Sequence, residues 1–565
     1  MDMRLPGATR FDLFLFVCLA SCTGLSAQNS SCSIQPAPTD PASQAYRDKD
    51  YSKAAQLYAA AVQADPKDKI ALAGQIRSLL RQHQVIAATT LAEAATAADP
   101  RSAQLATVLG EVRFRQGRLA DAAHTYGVSL KLDPCLPRTH YDLFTYFWAY
   151  SMRATAYDQL QTAHQLAPDD PEIRLGWIQR LPLSERLSET DKLLATGKDT
   201  STQEQTSLRD TADRLRNILA VKNRGCRLVS PAAFTSATLP FRYLGNESGA
   251  NYHALGFDVK VNDKATARLQ LDTGASGILL NRDTAAKAGL SPIVTNKLSG
   301  IGDQKQMDGF LAYADDLRIG TLEFENCLVE VSDKHSIVDM DGLIGADVFD
   351  AYHVQLDFPL RQMTLSPLPA LPGAAAQQET SLNASGVGTA PDSTAEAANL
   401  SSETLVPTSF RYKDRYIATE MQSWSPFASF SHHILISGKL QDGSPRLFLV
   451  DSGSNVTFLS TTAAKSVTKI HPDTRHHMRG INGQVDQLYT ADHVDVIFAN
   501  LRAPLDDALV MNLDRLSNSR GTEVSGILGL DTLKLLIIDI DYRDGLIHLA
   551  FDRKHGANPG YSFAH

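Results

Sequence analysis

A hydrophobic strand running into Asp-(Thr/Ser)-Gly-(Ala/Ser) occurs twice in this chain, as Leu269-Gln-Leu-Asp272-Thr-Gly-Ala-Ser276 and as Leu447-Phe-Leu-Val-Asp451-Ser-Gly-Ser454. One carboxylate on a tight turn constrains little, because Asp and Gly belong in turns. Two of them, each fed by an apolar strand and followed by matching sequence, demand a fold that repeats itself. Ala285-Ala-Lys287 is answered by Ala463-Ala-Lys465, and Gly300-Ile-Gly302 by Gly480-Ile-Asn-Gly483. Asp341-Gly-Leu-Ile-Gly345-Ala-Asp347 is answered by Ser525-Gly-Ile-Leu-Gly529-Leu-Asp531. Each copy closes on a strand pair, Val354–Phe358 with Met363–Leu365 and Ile537–Asp541 with Leu546–Leu549. Carboxylates brought together in this way can share a proton and do acid and base work at once.

The surrounding periodicity fits that plan. Tyr252–Val261 and Ala267–Leu271 alternate like strands about the turn Asn262-Asp263-Lys264, Leu322–Val331 reads as a further strand, and Arg282–Ala288 as a short helix ended by Gly289. Two β-rich regions result, 226–368 and 405–555. Residues 369–404 are rich in Ala, Ser, Thr and Gly and read as a flexible linker, whose span as a random coil is roughly 30 Å. Such a linker leaves open whether the two halves meet within one chain or between chains.

The N-terminal part, 42–222, is Ala-rich and helical in period. Pro66, Pro100, Pro134 and Pro168 stand 34 residues apart, each where a helix should stop. Ala54, Ala88, Ala122 and Ala156 precede them by a constant interval, where helices must cross closely. Tyr58, Tyr126 and Leu160 fill the next large-residue position, which in the second repeat holds only Ala92. With Leu109-Gly110, this pattern resembles the tetratricopeptide repeat, a helix-turn-helix unit that stacks into a solenoid and binds peptides or partner proteins. Residues from Pro171 to Asn223, with a helix start at Thr202-Gln-Glu-Gln205, read as helices capping the array.

Two processing signals compete at the N-terminus. Arg4 and Arg10 precede the apolar core Leu13–Ala20, too short to span a bilayer, so residues 1–27 read as an export signal. Cleavage near Ala27 gives a soluble protein; Leu19-Ala-Ser-Cys22 resembles a bacterial lipobox and would lipidate Cys22, tethering the protein to a membrane. A periplasmic or cell-envelope location follows from either. The net charge of −9 argues against nucleic acid as a partner. Cys32, Cys135, Cys226 and Cys327 are scattered without CxxC spacing. Neither a zinc site nor a disulfide framework is therefore expected, although an oxidising compartment would permit one bridge.

The doubled Asp-(Thr/Ser)-Gly motif, each copy followed by an apolar pair and glycine (Leu343-Ile344-Gly345 and Ile527-Leu528-Gly529), resembles the retropepsin-like lobes that pair in pepsin-type aspartic proteases. The resemblance implies a multidomain α and β chain, with an all-α repeat solenoid followed by two all-β lobes in a pseudo-twofold double barrel. It implies an aspartic endopeptidase in which Asp272 and Asp451 are catalytic and need no cofactor. Thr273 and Ser452 would then bond across the lobe interface, while Gly274 and Gly453 permit the tight turns. Gly300, Gly302, Gly480 and Gly483 become candidate flap residues, although no flap tyrosine stands among them; Tyr313 and Tyr489 read as strand packing. A protein or peptide is the implied substrate. A binding scaffold that keeps the fold without turnover, or an activity confined to self-cleavage, are the alternatives.

Other polar clusters carry less. His432-His433 and His476-His477 suggest a metal, but neighbours on a strand point to opposite faces, so no metal site is expected. Asp347, Asp357, Asp531, Asp539 and Asp541 read as turn or cap residues near strand ends.

Overall fold

The computed structural model describes residues 32–196, 202–221, 226–229, 235–244, 254–298, 307–335, 337, 340–371, 414–476, 478–480, 483–485 and 487–551. The signal at 1–27, Cys22, Gly300, Gly302 and most of the linker lie outside them.

Repetition governs the helical part. The helices Tyr51–Ala64, Val85–Ala98, Leu119–Leu132 and Arg153–Leu166 are each 14 residues long and begin 34 residues apart. Alternating with them, Lys69–Arg81, Ala103–Arg115, Pro137–Ala149 and Pro171–Gln179 keep the same interval. Each 14-residue helix ends one residue before Asp65, Asp99, Asp133 or Ala167, directly ahead of the repeat prolines. Ala54, Ala88, Ala122 and Ala156 are all fully buried at the helix crossings. Tyr58 packs over Gly74 and Tyr126 over Gly110, where any side chain would collide with the ring. Ala92 is fully buried as well, so the second repeat closes its groove with a small residue.

Charges on the shorter helices form a ladder at the repeat spacing. Arg77 pairs with Glu111 at 2.8 Å, and Arg138 with Glu172 at 2.5 Å. Arg138 also reaches Asp142 at 3.0 Å, and Arg81 bridges to Glu172 at 2.5 Å across three repeats. Burial alone would raise Glu172, but Arg138 and Arg81 outweigh it and hold the carboxyl at about 2.

Two disulfides correct the cysteine expectation. Cys32 bonds Cys135, and Cys226 bonds Cys327. The first ties the N-terminal segment to the array, where Gln35 also donates from its backbone to the Leu166 carbonyl at 2.7 Å. The second ties the entry of the β region to the strand Leu322–Ser332. Both join residues about a hundred positions apart, a separation at which spacing rules carry no signal.

Among the described residues the β part is built on three main sheets. One lobe holds a nine-stranded sheet, the other a ten-stranded sheet. The third, of six strands, is shared: Tyr352–Asp357 from the first lobe pairs antiparallel with Leu536–Asp541 from the second, Val354 opposite Ile540. A single apolar core runs from Leu239 through both lobes to Leu549. The lobes therefore pair within one chain, and the intermolecular alternative is set aside.

The solenoid is also welded to the second lobe. Phe114, Phe144 and Phe147 share a core with Phe430, Leu447, Leu449 and Ile527. Thr522 donates to the Phe114 carbonyl at 2.7 Å, and the backbone N–H of Glu523 to the Arg115 carbonyl at 2.9 Å. Arg415 donates to the Tyr150 carbonyl at 2.6 Å, and Asp414 accepts from the Thr155 N–H at 2.7 Å. Among the described residues no helix is long and apolar enough to cross a membrane.

Two outcomes follow. Denatured but unreduced protein should leave Cys32, Cys135, Cys226 and Cys327 unreactive to an alkylating agent in peptide mapping, and each bridge lost by Cys→Ser should cost about 2–5 kcal/mol in denaturant unfolding. Arg138→Leu takes from the buried Asp142 its arginine and leaves Glu111 with Arg77 alone and Glu172 with Arg81 alone, and should cost about 3–5 kcal/mol by the same measurement.

Candidate active site

Strand order brings each motif carboxylate to the seam between the lobes. Ala265–Asp272 ends on Asp272, and Pro445–Val450 ends one residue before Asp451. In the first lobe, Gly342–Gly345 lies parallel to the Asp272 strand and antiparallel to Ile278–Asn281. In the second, Gly526–Leu528 lies parallel to Pro445–Val450 and antiparallel to Phe458–Ser460. The apolar-apolar-glycine triplets thus insert between the strand that enters each Asp turn and the strand that leaves it. Their apolar residues are buried, which locks the turn to the core.

A reciprocal set of hydrogen bonds joins the two turns. Thr273 Oγ1 donates to the Val450 carbonyl at 2.8 Å and accepts from the Ser452 N–H at 2.9 Å. Ser452 Oγ donates to the Leu271 carbonyl at 2.9 Å and accepts from the Thr273 N–H at 3.1 Å. Both residues are 2% exposed, so each bond is made away from competing water. Within each turn the motif glycine donates its N–H to the carboxylate, Gly274 to Asp272 Oδ1 at 2.8 Å and Gly453 to Asp451 Oδ1 at 2.9 Å.

Gly274 and Gly453 do more than permit a turn. A Cβ on Gly274 would lie 2.7 Å from the Asp451 carboxyl, and one on Gly453 would run into the Asp272 carboxyl. Each glycine therefore faces the opposite carboxyl group, and any side chain would push the pair apart. Asp272 and Asp451 face each other across that gap. Burial, followed by the charge of Asp451, pushes Asp272 well above the usual carboxylate range, and burial also raises Asp451. Two such groups retain one proton between them.

The outer shell contains residues that sequence reasoning treats as generic. Asp347 Oδ1 accepts from the Gly277 N–H at 2.9 Å, and Asp531 Oδ1 from the Thr457 N–H at 2.9 Å and its hydroxyl at 2.6 Å. These aspartates brace equivalent points of the two turns. A signal for them exists, since each follows its triplet glycine by two positions. Gln270 Nε2 donates to the Gly453 carbonyl at 3.1 Å, and His432 Nε2 to the Gly274 carbonyl at 3.0 Å. Neither stands out for this role in the sequence. The two histidine rings lie side by side, centroids 4.0 Å apart, rather than on opposite faces, because His432 sits in a turn. His476 instead bonds Asp473 at 2.5 Å, and His477 lies outside the described residues.

Of the candidate flap residues, Gly480 and Gly483 pair across a small hairpin, Arg479–Gly480 with Gly483–Gln484. Gly300 and Gly302 fall between Val294–Leu298 and Met307–Ile319, two strands paired antiparallel.

Residues 257–348 and 436–532 each match the family model for aspartyl protease. No curated protein matches the chain. Among solved structures, an aspartic proteinase from Irpex lacteus aligns at 14% identity over 57% of this chain and 99% of its own, with a TM-score of 0.33. A thermophilic TPR protein from Thermus thermophilus aligns at 23% identity over 31% of this chain and 95% of its own, with a TM-score of 0.26. The 34-residue helical stack and the two family matches, one in each lobe, together give the chain a tetratricopeptide-repeat plus aspartic-protease-like architecture.

Proposed function

We propose that the chain is an exported aspartic endopeptidase, with catalysis by Asp272 and Asp451 and recruitment of protein or peptide by the helical array. The observation that carries the reading is the pair of facing carboxyls, Asp451 buried and Asp272 half-buried, each against the other turn's glycine and each fixed by a glycine N–H. Such a pair holds one proton at a pH where isolated carboxyls would have lost theirs. The ionised member takes a proton from a water between them, and the oxygen adds to the peptide carbonyl carbon. The protonated member donates to the carbonyl oxygen, giving a neutral tetrahedral diol. Collapse of that diol breaks the C–N bond, with a proton delivered to the leaving nitrogen.

The division of labour follows the segments read in the sequence: 42–222 for recruitment, 226–368 and 405–555 for chemistry, and 369–404 as their connection. Thr273 and Ser452 hold the carboxyls at contact, and the Gly300–Gly302 and Gly480–Gly483 segments are proposed to cover the substrate. Two disulfides support an oxidising, exported location, in the periplasm or cell envelope. Lipidation at Cys22 is proposed as the tether, with cleavage near Ala27 as its soluble counterpart. No cofactor enters the scheme.

The purified protein should cleave unfolded protein or peptide libraries from acid to neutral pH, and Asp272→Asn or Asp451→Asn should each lower kcat by about 10²- to 10⁴-fold. Full activity in either single variant rules out a shared dyad; peptide binding without cleavage in the unmodified protein assigns the fold to capture instead. Cleavage confined to the protein's own chain identifies a self-processing activity.

The same variants carry a stability signature. Asp272 and Asp451 have folded-state pKa values above their unfolded ones, so they favour the fold below the unfolded pKa and lose that contribution as pH rises through the folded values. Asp272→Asn should therefore raise Tm at neutral pH, with the gain vanishing in acid where both side chains are neutral. Calorimetry of the two proteins across that range measures it.

A further inference from the structure

The strands Ala428–Phe430 and His433–Lys439 form a hairpin in which Phe430 pairs with His433. Ser431-His432 is thus a two-residue turn, and Ser431 takes the positive φ of 59° that such turns require of their first residue. This turn belongs to the second lobe but reaches the first. His432 Nε2 donates to the Gly274 carbonyl at 3.0 Å, while the Gly274 N–H binds Asp272 at 2.8 Å. Gly274 is therefore gripped from both sides, and its position sets how close Asp272 and Asp451 stand.

The hairpin tip is itself held. Ser429 Oγ donates to the Ser431 carbonyl at 2.8 Å, and Arg520 Nη1 to Ser431 Oγ at 3.1 Å. At its root, Phe430 meets Phe114 of the helical array edge to face, centroids 5.9 Å apart. The opposite turn has a matching device of different origin: Gln270 of the first lobe donates to the Gly453 carbonyl at 3.1 Å. Leu449 stands two residues before Asp451, as Gln270 does before Asp272, and its side chain cannot donate. The second lobe supplies the missing donor from its hairpin tip instead.

Charge state matters as much as placement. An imidazolium beside the dyad would favour loss of the shared proton. Burial, with Arg520 as a second cause, pushes His432 down to about 3, so the ring stays neutral. Its Nδ1 is buried and has no hydrogen-bond partner among the described residues. The ring therefore acts through Nε2 alone.

We propose that His432 is a positioning residue of the dyad, a neutral cross-lobe donor that fixes Gly274 and through it the spacing of the two carboxyls. This rests on the peptidase reading, and the test separates the two. In the full-length protein, His432→Ala should lower kcat by about 10- to 100-fold with KM within about twofold, the size of effect a small misplacement of reacting groups produces. His432→Gln, long enough to donate to the same carbonyl, should recover kcat to within about threefold. Unchanged kcat in H432A, or equal losses in H432A and H432Q, overturns the proposal. Should H432A fail to fold, H432N and H432Q are compared, since they differ in reach alone, and equal kcat overturns it. If the unmodified protein cleaves no peptide, the peptidase reading fails. The positioning claim is then decided by ¹³C-carboxyl NMR: a shifted Asp272 titration in H432A, or in H432N where H432A does not fold, supports it, and an unchanged one overturns it.

Discussion

Two carboxyl groups held face to face are costly to ionise together, and the β part of this chain is arranged around keeping them there. The cost is met by geometry on three scales. Glycine N–H groups bind each carboxyl, the Thr273 and Ser452 hydroxyls tie the turns to each other's backbone, and a six-stranded sheet shared by the lobes fixes the seam as a whole. Removing the outermost scale would let the inner ones drift, because a hydrogen bond across a mobile seam fixes nothing. Tyr352–Asp357 and Leu536–Asp541 are distant from the chemistry yet set its precision.

The helical array enters the same hierarchy. A repeat domain on a flexible tether would influence the site only by raising the local concentration of substrate. Here Phe114, Phe144 and Phe147 are part of the second lobe's core, and backbone hydrogen bonds cross the junction. Deformation of the array would be felt at Phe430, two residues from the ring that grips Gly274. Meanwhile the Arg77–Glu111 and Arg138–Glu172 rungs, closed by Arg81, already satisfy much of the array's charge internally. A charged peptide binding against this ladder must replace one of its ion pairs rather than meet free side chains.

Repetition makes most of this legible in the sequence. The helix limits at Asp65, Asp99, Asp133 and Ala167 follow from proline period alone, because proline's missing donor acts locally. The doubled Asp turn and its triplets are readable for the same reason: each residue's role recurs in the second copy. What escapes is whatever is made once and at long range. Cys32–Cys135 and Cys226–Cys327 pair across more than a hundred positions, and no local pattern records such distances. Placing His432 on a strand misjudges it, because the residue that matters is Ser431, whose positive φ turns the chain and brings both rings to one side. Gln270 is hidden inside a strand whose alternation it interrupts, and only the opposite lobe explains its amide.

Burial acts on the dyad and on Glu172 alike, yet their pH dependences run in opposite directions. At the dyad the neighbour is another carboxyl, so burial and charge both raise the pKa, and the fold is favoured in acid. At Glu172 the neighbours are Arg138 and Arg81, which overcome burial and hold the group at about 2. Its folded pKa lies below the ordinary value of 4.5, so its contribution is present above that value and lost as pH falls toward 2. The dyad therefore gains from acid while the Glu172 pairs persist in acid down to about pH 2; Asp142, raised by burial within the same ladder, sides with the dyad. Because array and second lobe share one core, neither can loosen without the other. The arginine pairs of Glu172 thus keep their contribution through the same acid range in which the dyad favours the fold most.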